Sequence, residues 1–184
     1  DNLISIMQAE STLKRVFLRL FARVLIQGNT DHENDGITPS CYSYTYNHLK
    51  NSPHGPEILK LIDKSSEEKT VANFESYMRP KKGNYIYEMF YYNHPFYSYN
   101  ALKNIRVQRR LTSDLLDISY TSGDPGIAYN TVSILMDEFV EEYRRIRYGE
   151  TDKVIKYFEE ELQRIGKKLN SEEDDLTKYN VQKR

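Results

Sequence analysis

Between Asn104 and Arg147 the apolar residues change their period once, and that change restricts the possible folds more than anything else in the chain. Ile105, Val107 and Leu111 alternate with Arg106, Gln108 and Arg110, the period-two pattern of a half-buried strand. After Thr112-Ser113-Asp114 the alternation resumes, with Leu116, Ile118 and Tyr120 on one face. So short a connection predicts an antiparallel hairpin. At Ser122-Gly123-Asp124-Pro125 the period switches. Asp124 suits the cap of a helix, where its carboxylate accepts from free N–H groups, and Pro125 suits the first helical position. From there Ala128, Val132, Leu135, Phe139, Tyr143 and Ile146 recur at three- and four-residue steps. A stripe of that kind needs an apolar partner, and the hairpin before it is the nearest one.

The rest of the chain surrounds this unit with helices. Asp1–Gln27 reads as helix with a break near Glu10-Ser11, Ser11 capping a second piece in which Leu13, Phe17, Leu20 and Val24 share a face. Lys14, Arg15, Arg19 and Arg23 lie on the other face, which fits a solvated polar surface or, as the alternative, a membrane-surface helix. Thr30–Tyr46 is polar and punctuated by Asp, Asn, Gly and Pro, as in a loop, although Tyr42, Tyr44 and Tyr46 alternate as in a short strand. Pro56 opens a helix carrying Ile58, Leu59, Leu61 and Ile62. Ser66–Met78 and Asn84–Tyr92 are two more, the last closed by Pro95.

After Arg147 the sequence Gly149-Glu150-Thr151 predicts an interruption, with Thr151 capping a new start. Beyond it Ile155, Phe158, Leu162, Ile165, Leu169 and Leu176 follow a heptad that only Glu172 breaks. Such a stretch would reach roughly 50 Å at 1.5 Å per residue. That is more than a small domain can cover, so the seam calls for a partner helix. The expected architecture is therefore α+β and helix-rich. A small antiparallel hairpin is packed by helices in a base over residues 1–149, and a projecting, coiled-coil-like helical arm occupies 150–184. An end at Lys183-Arg184 without a terminator, and a start at Asp1, suit a piece of a longer chain.

Composition narrows the function classes. A net charge of −1 leaves no basic excess for nucleic acid. No apolar run approaches the ~20 residues of a membrane span. The single cysteine, Cys41, rules out an internal disulfide framework, and the four histidines are scattered without ligand spacing, as surface or loop residues are. No phosphate-binding loop, nucleophile elbow or metal motif is present, and the acidic pairs fall on helical faces among Lys and Arg. Neither a catalytic residue nor a cofactor is expected. Two surface features remain. The chain has 16 tyrosines and no tryptophan. They are densest at Tyr85, Tyr87, Tyr91, Tyr92, Tyr97 and Tyr99, where they fit either a glycan contact or a wet surface or subunit contact. Arg106, Arg109 and Arg110 form the one local basic patch, suited to an anionic sugar, a neighbouring carboxylate or plain solvent.

The run SDLLDISYTSGDPGIAYNTVSILMDEFVEEY, followed by Tyr157-Phe158-Glu159-Glu160-Glu161-Leu162, resembles the extracytoplasmic domain of the Wzz/Wzc-type polysaccharide chain-length determinants, or polysaccharide co-polymerases. The likeness is most specific over 105–169 and extends loosely to Asp1-Asn2-Leu3-Ile4-Ser5-Ile6 and Tyr85-Ile86-Tyr87-Glu88. It implies a non-enzymatic domain on the periplasmic face of the bacterial inner membrane, anchored by flanking helices. It further implies assembly into homo-oligomers that govern the length or export of O-antigen, capsular or exopolysaccharide chains, with a polymerase or the growing glycan as partner. Some relatives carry a cytoplasmic tyrosine kinase. The family's sheet also takes strands from before the first helix and after the arm, which this sequence lacks. A coiled-coil periplasmic adaptor of an efflux or secretion assembly is the alternative, although adaptors usually carry lipoyl-like β modules where this chain has its Asp-Pro corner.

Overall fold

Apolar residues crowd nearly every side of Glu10–Gln27, and a helix of that kind has to sit inside others. The computed structural model describes residues 2–79, 83–92, 94–111 and 115–182, with side chains at 2, 150, 169 and 172–182 left aside. In it α1 (Asn2–Gln8) leads into α2 (Glu10–Gln27), the buried centre of the first of two compact units, Asp1–Glu141 and Glu142–Arg184. Helix α2 packs against α3 (Pro39–Lys50), α5 (Glu67–Met78) and α7 (Tyr99–Leu102). The short α4 (Gly55–Leu59) and α6 (Tyr85–Tyr91) close the shell. Phe17 and Phe21 of α2 form the centre of an aromatic core. Phe17 stacks on Phe90 at 5.4 Å, and Phe21 meets Phe74 at 5.2 Å and the edge of Tyr97 at 5.4 Å.

Strands β1 (Arg106–Arg109) and β2 (Leu116–Ser119) pair antiparallel, with Val107 opposite Ile118, so the predicted hairpin is present. Its connection, Thr112-Ser113-Asp114, lies outside the described residues. Leu111 does not extend the strand. It has a φ of 47° and is 91% exposed. Helix α8 (Pro125–Gln182) follows, which completes a helix-rich α+β chain with a small sheet and a long C-terminal helix. Among the described residues no helix is long and apolar enough to cross a membrane.

Several local expectations need correction. The first break falls at Ala9, whose backbone is extended and whose side chain caps nothing, so Ser11 is not a cap. Thr30–Tyr46 is neither all loop nor strand, because Thr38 accepts from the Cys41 N–H at 3.1 Å and Pro39 starts α3. The tyrosines that alternate in sequence are neighbours at four-residue spacing on that helix, Tyr42 stacking on Tyr46 at 5.5 Å. The helix opened by Pro56 stops at Leu59. By contrast, helices α5 and α6 stand close to the expected spans, and Ser66 and Asn84 cap them by accepting backbone N–H groups.

Helix α8 differs from its forecast in two ways. Its buried residues are Gly126, Ile127, Asn130, Thr131, Ile134 and Leu135, so the core face is rotated from the expected stripe and shares with it the buried Leu135 and the partly buried Phe139. Of the polar members, Asn130 is hydrogen-bonded on both sides, whereas the Thr131 hydroxyl is buried with no hydrogen-bond partner among the described residues. The helix also runs through Gly149-Glu150-Thr151 without interruption. An interior glycine costs about 1 kcal/mol, too little to stop a helix by itself. Thr151 starts nothing: its hydroxyl donates back to the Arg147 carbonyl at 3.0 Å, as a mid-helix threonine does.

Candidate functional site

The Asp124 corner is built as its sequence suggests. Its Oδ1 accepts from the Ile127 N–H at 3.1 Å, and its Oδ2 accepts from the Thr38 hydroxyl at 2.6 Å. One side chain thus caps α8 and ties it to the start of α3. Facing it, Asn34 and Ile37 bridge a tight turn whose central residues, Asp35 and Gly36, have φ of 48° and 73°. Positive φ at both positions is what a type I′ turn requires, and Asp-Gly is a preferred pair for it. Gly126 allows this turn to press on the helix, since a Cβ there would lie 2.1 Å from the Gly36 carbonyl oxygen. Asn130 donates to the Asp35 carbonyl at 3.2 Å and to that of Gly126 at 3.0 Å, while accepting from Arg23 at 3.3 Å. A cleft of about 700 Å³ opens here, walled by Arg23, Gln27, Asp35, Tyr129 and Asn130. The side chains of Arg23, Thr38 and Asn130 are occupied in holding the corner together, whereas the buried Gln27 Oε1 has no hydrogen-bond partner among the described residues.

Arg23 belongs to a larger arrangement that overturns the solvated reading of the α2 basic face. Arg15 pairs with Glu138 at 2.8 Å, Arg19 with both Glu67 and Glu138 at 3.0 Å, and Arg23 with Glu67 at 3.0 Å. Glu138 and Glu67 retain only 12% and 19% of their side-chain exposure. Burial by itself would lower the affinity of Arg19 for its proton. Hydrogen bonds and charge from Glu67 and Glu138 outweigh it and raise the pKa. The row of arginines, spaced four apart, joins α2 to α5 and to the first turns of α8.

The tyrosines expected as one cluster are dispersed. Tyr97 is fully buried, its hydroxyl hydrogen-bonded to Thr45 at 2.7 Å, and is a core residue, not a contact surface. Tyr87 and Tyr91 lie against each other at 4.4 Å, and the Tyr91 hydroxyl donates to Glu10 at 2.8 Å. Burial and that carboxylate push the Tyr91 phenol up to about 12. Tyr99 meets the edge of Phe90, and Tyr92 faces solvent. Tyr85 turns instead toward Tyr44 of α3. The three arginines divide too. Strand alternation puts Arg106 on one side of the hairpin and Arg109 on the other, with Arg110 past the end of β1.

His94 lies in a loop, one of the two settings the sequence suggests for the histidines. It is buried, its Nδ1 accepting from the Phe96 and Tyr97 N–H groups at 3.1 and 3.3 Å. Burial, with the neighbouring His48 charge, holds it down to about 4. No pattern of spacing marks such a residue, because its role is to organise the turn His94-Pro95-Phe96-Tyr97. Cys41 is likewise buried and free, with its thiol pushed up to about 12 by burial and by Asp124.

In the second unit the predicted seam is helical and uncovered. Ile155, Phe158, Leu162 and Ile165 are 50%, 59%, 69% and 55% exposed, and Val154 and Tyr157 beside them are also open. Leu169 and Leu176 have side chains outside the described residues. Glu142 pairs with Arg145, and Glu161 with Arg164, along the helix surface. Pairs of that kind hold little energy in water. The apolar stripe is therefore the chemically distinctive feature of this unit. Among the described residues no cluster of His, Cys, Asp and Glu suits a metal ion. Compared with known proteins, the chain matches no family model, no curated protein and no solved structure.

Proposed function

We propose that this chain is a non-enzymatic scaffold domain on the periplasmic face of a bacterial inner membrane. In this reading it belongs to a membrane-anchored regulator of O-antigen, capsular or exopolysaccharide chain length and export. One observation carries the reading. A helix presents Ile155, Phe158, Leu162 and Ile165 in alternating steps of three and four at 50–69% exposure. Large apolar side chains in a heptad are stable in water only when another helix covers them. A second copy of the same chain supplies an identical seam, so homo-oligomeric assembly is the simplest way to cover it. The resemblance to the chain-length determinants supplies the context: the hairpin, Asp124 cap and long helix follow one another as that family's do. In such an assembly the function is geometric, an array of copies holding a polymerase or its growing product at a set spacing.

The test uses the parent chain with its membrane anchors, purified in detergent and also expressed in cells lacking the native copy. Light scattering is expected to give the mass of a closed oligomer, and gel analysis of surface polysaccharide a defined modal length. F158D/L162D is expected to lower the mass and broaden the length distribution together. An unchanged mass and an unchanged modal length in that variant would refute the assignment. Loss of mass accompanied by a failure of efflux or secretion, with polysaccharide intact, would favour the adaptor alternative.

A further inference from the structure

The sequence offers tyrosines that could meet a sugar but no amides converging on them. The fold brings such amides together. Because residues 39–50 form a helix, Tyr44, Asn47, His48 and Asn51 fall on one side of α3 and its C-terminal cap. Across from them stands Tyr85, and the five residues with Ser52 enclose a cleft of about 460 Å³. We propose that this cleft binds a neutral sugar unit of a polysaccharide.

Ring geometry favours a flat, partly apolar ligand. Tyr44 and His48 are stacked with their centroids 5.8 Å apart and their planes 11° from parallel. Phe96 at 5.5 Å and His94 at 6.0 Å pack against the same Tyr44 ring in T-shaped contacts. It nevertheless stays 44% exposed. An aromatic ring held by several neighbours and still partly exposed loses little entropy when a ligand packs on it. The C–H face of a pyranose is such a ligand.

Hydrogen-bonding capacity favours hydroxyl groups. Among the described residues the side chains of Asn47 and Asn51, the phenols of Tyr44 and Tyr85 and the His48 ring make no hydrogen bond to the protein. Carboxamides carry donors and acceptors side by side, which matches vicinal hydroxyls that do both. Burial, and the nearby Tyr44 phenol, raise the Tyr85 pKa, so the Tyr85 hydroxyl stays a neutral donor at ordinary pH. Charge decides the ligand class. None of the six lining residues is acidic, lysine or arginine, so the cleft provides no carboxylate for an amine and, beyond the His48 ring when that is protonated, no cation for a phosphate or uronate. That contrasts with the Asp35 cleft, whose lining includes Arg23, Glu33 and Asp35.

The choice of a polymer over a free sugar rests on the function proposed above, while the recognition chemistry does not. The experiment is titration of the isotope-labelled chain with maltotriose, cellotriose and chitotriose, with trigalacturonate as the charged comparison, followed by amide chemical-shift changes. At least one neutral trisaccharide is expected to shift residues 44–52 and 85 with millimolar affinity, and trigalacturonate to leave them unmoved. Tyr44→Ala and, separately, Asn47→Ala/Asn51→Ala are expected to weaken that binding about tenfold with an otherwise unaltered spectrum. No shift at these residues with any neutral trisaccharide, equal binding of the charged one, or binding indifferent to both variants would overturn the inference. None of those outcomes touches the mass of the assembly, so the failure of one proposal can be told from the failure of the other.

Discussion

Helix α2 and the stretch of α8 beyond Glu141 both place apolar residues at helical spacing, and the two meet opposite fates. In α2, Phe17, Leu20, Phe21 and Val24 are wholly buried and the intervening arginines are neutralised by Glu67 and Glu138. Beyond Glu141, Phe158 and Leu162 are more than half exposed, and the ion pairs lie along the helix surface. The same periodicity thus serves two purposes. It fills a core where other elements surround the helix. Elsewhere it leaves a surface whose apolar area, worth roughly 25 cal/mol per Å² when covered, is available to a partner.

That contrast breaks most sharply under truncation of aromatic residues. Phe21→Ala is expected to cost the first unit roughly 3–5 kcal/mol in urea unfolding. Phe158→Ala should change the stability of the monomer by no more than about 0.5 kcal/mol while weakening self-association. A large loss from Phe158→Ala in a dilute monomer would mean the seam is already covered within one chain.

Acid should discriminate next, since His94 is inside the first unit. Its native pKa of about 4 lies below the ordinary 6.5, so the unfolded chain binds the extra proton between those values. Stability is then fully present above pH 6.5 and falls as pH drops toward 4, by about 3 kcal/mol in total. His94→Asn should flatten that slope, read from chemical denaturation at a series of pH values. The helicity of the second unit should not follow the same curve.

Two glycines of α8 sharpen the comparison at smaller scale. Gly126→Ala drives a Cβ into the Gly36 carbonyl and is expected to destabilise by about 2 kcal/mol in thermal unfolding. Gly149 has nothing within 4 Å of the position its Cβ would take. Replacing it by Ala should therefore raise helix content by circular dichroism and stabilise the helix by about 0.5–1 kcal/mol.

From the sequence by itself follow the hairpin, the Asp124-Pro125 helix start, the core load of α2, the helices that begin near Ser66 and Asn84 and the heptad beyond Thr151. Each rests on residues a few positions apart, where backbone geometry alone dictates which side chains share a face or reach an N–H group. Only the tertiary structure decided the rest. The arginine row of α2 reads as solvent-facing until Glu67 and Glu138 arrive from 44 and 119 residues away. Tyr97 resembles its exposed neighbours until Thr45 supplies a buried partner for its hydroxyl. The cleft at Tyr44 and Tyr85 exists because a segment rich in turn-forming residues becomes helix α3 once Thr38 caps it and Cys41, Thr45 and Leu49 find a core. A local pattern records what a segment favours, whereas burial and charge compensation depend on groups distant in sequence, so they are settled only when the chain is folded.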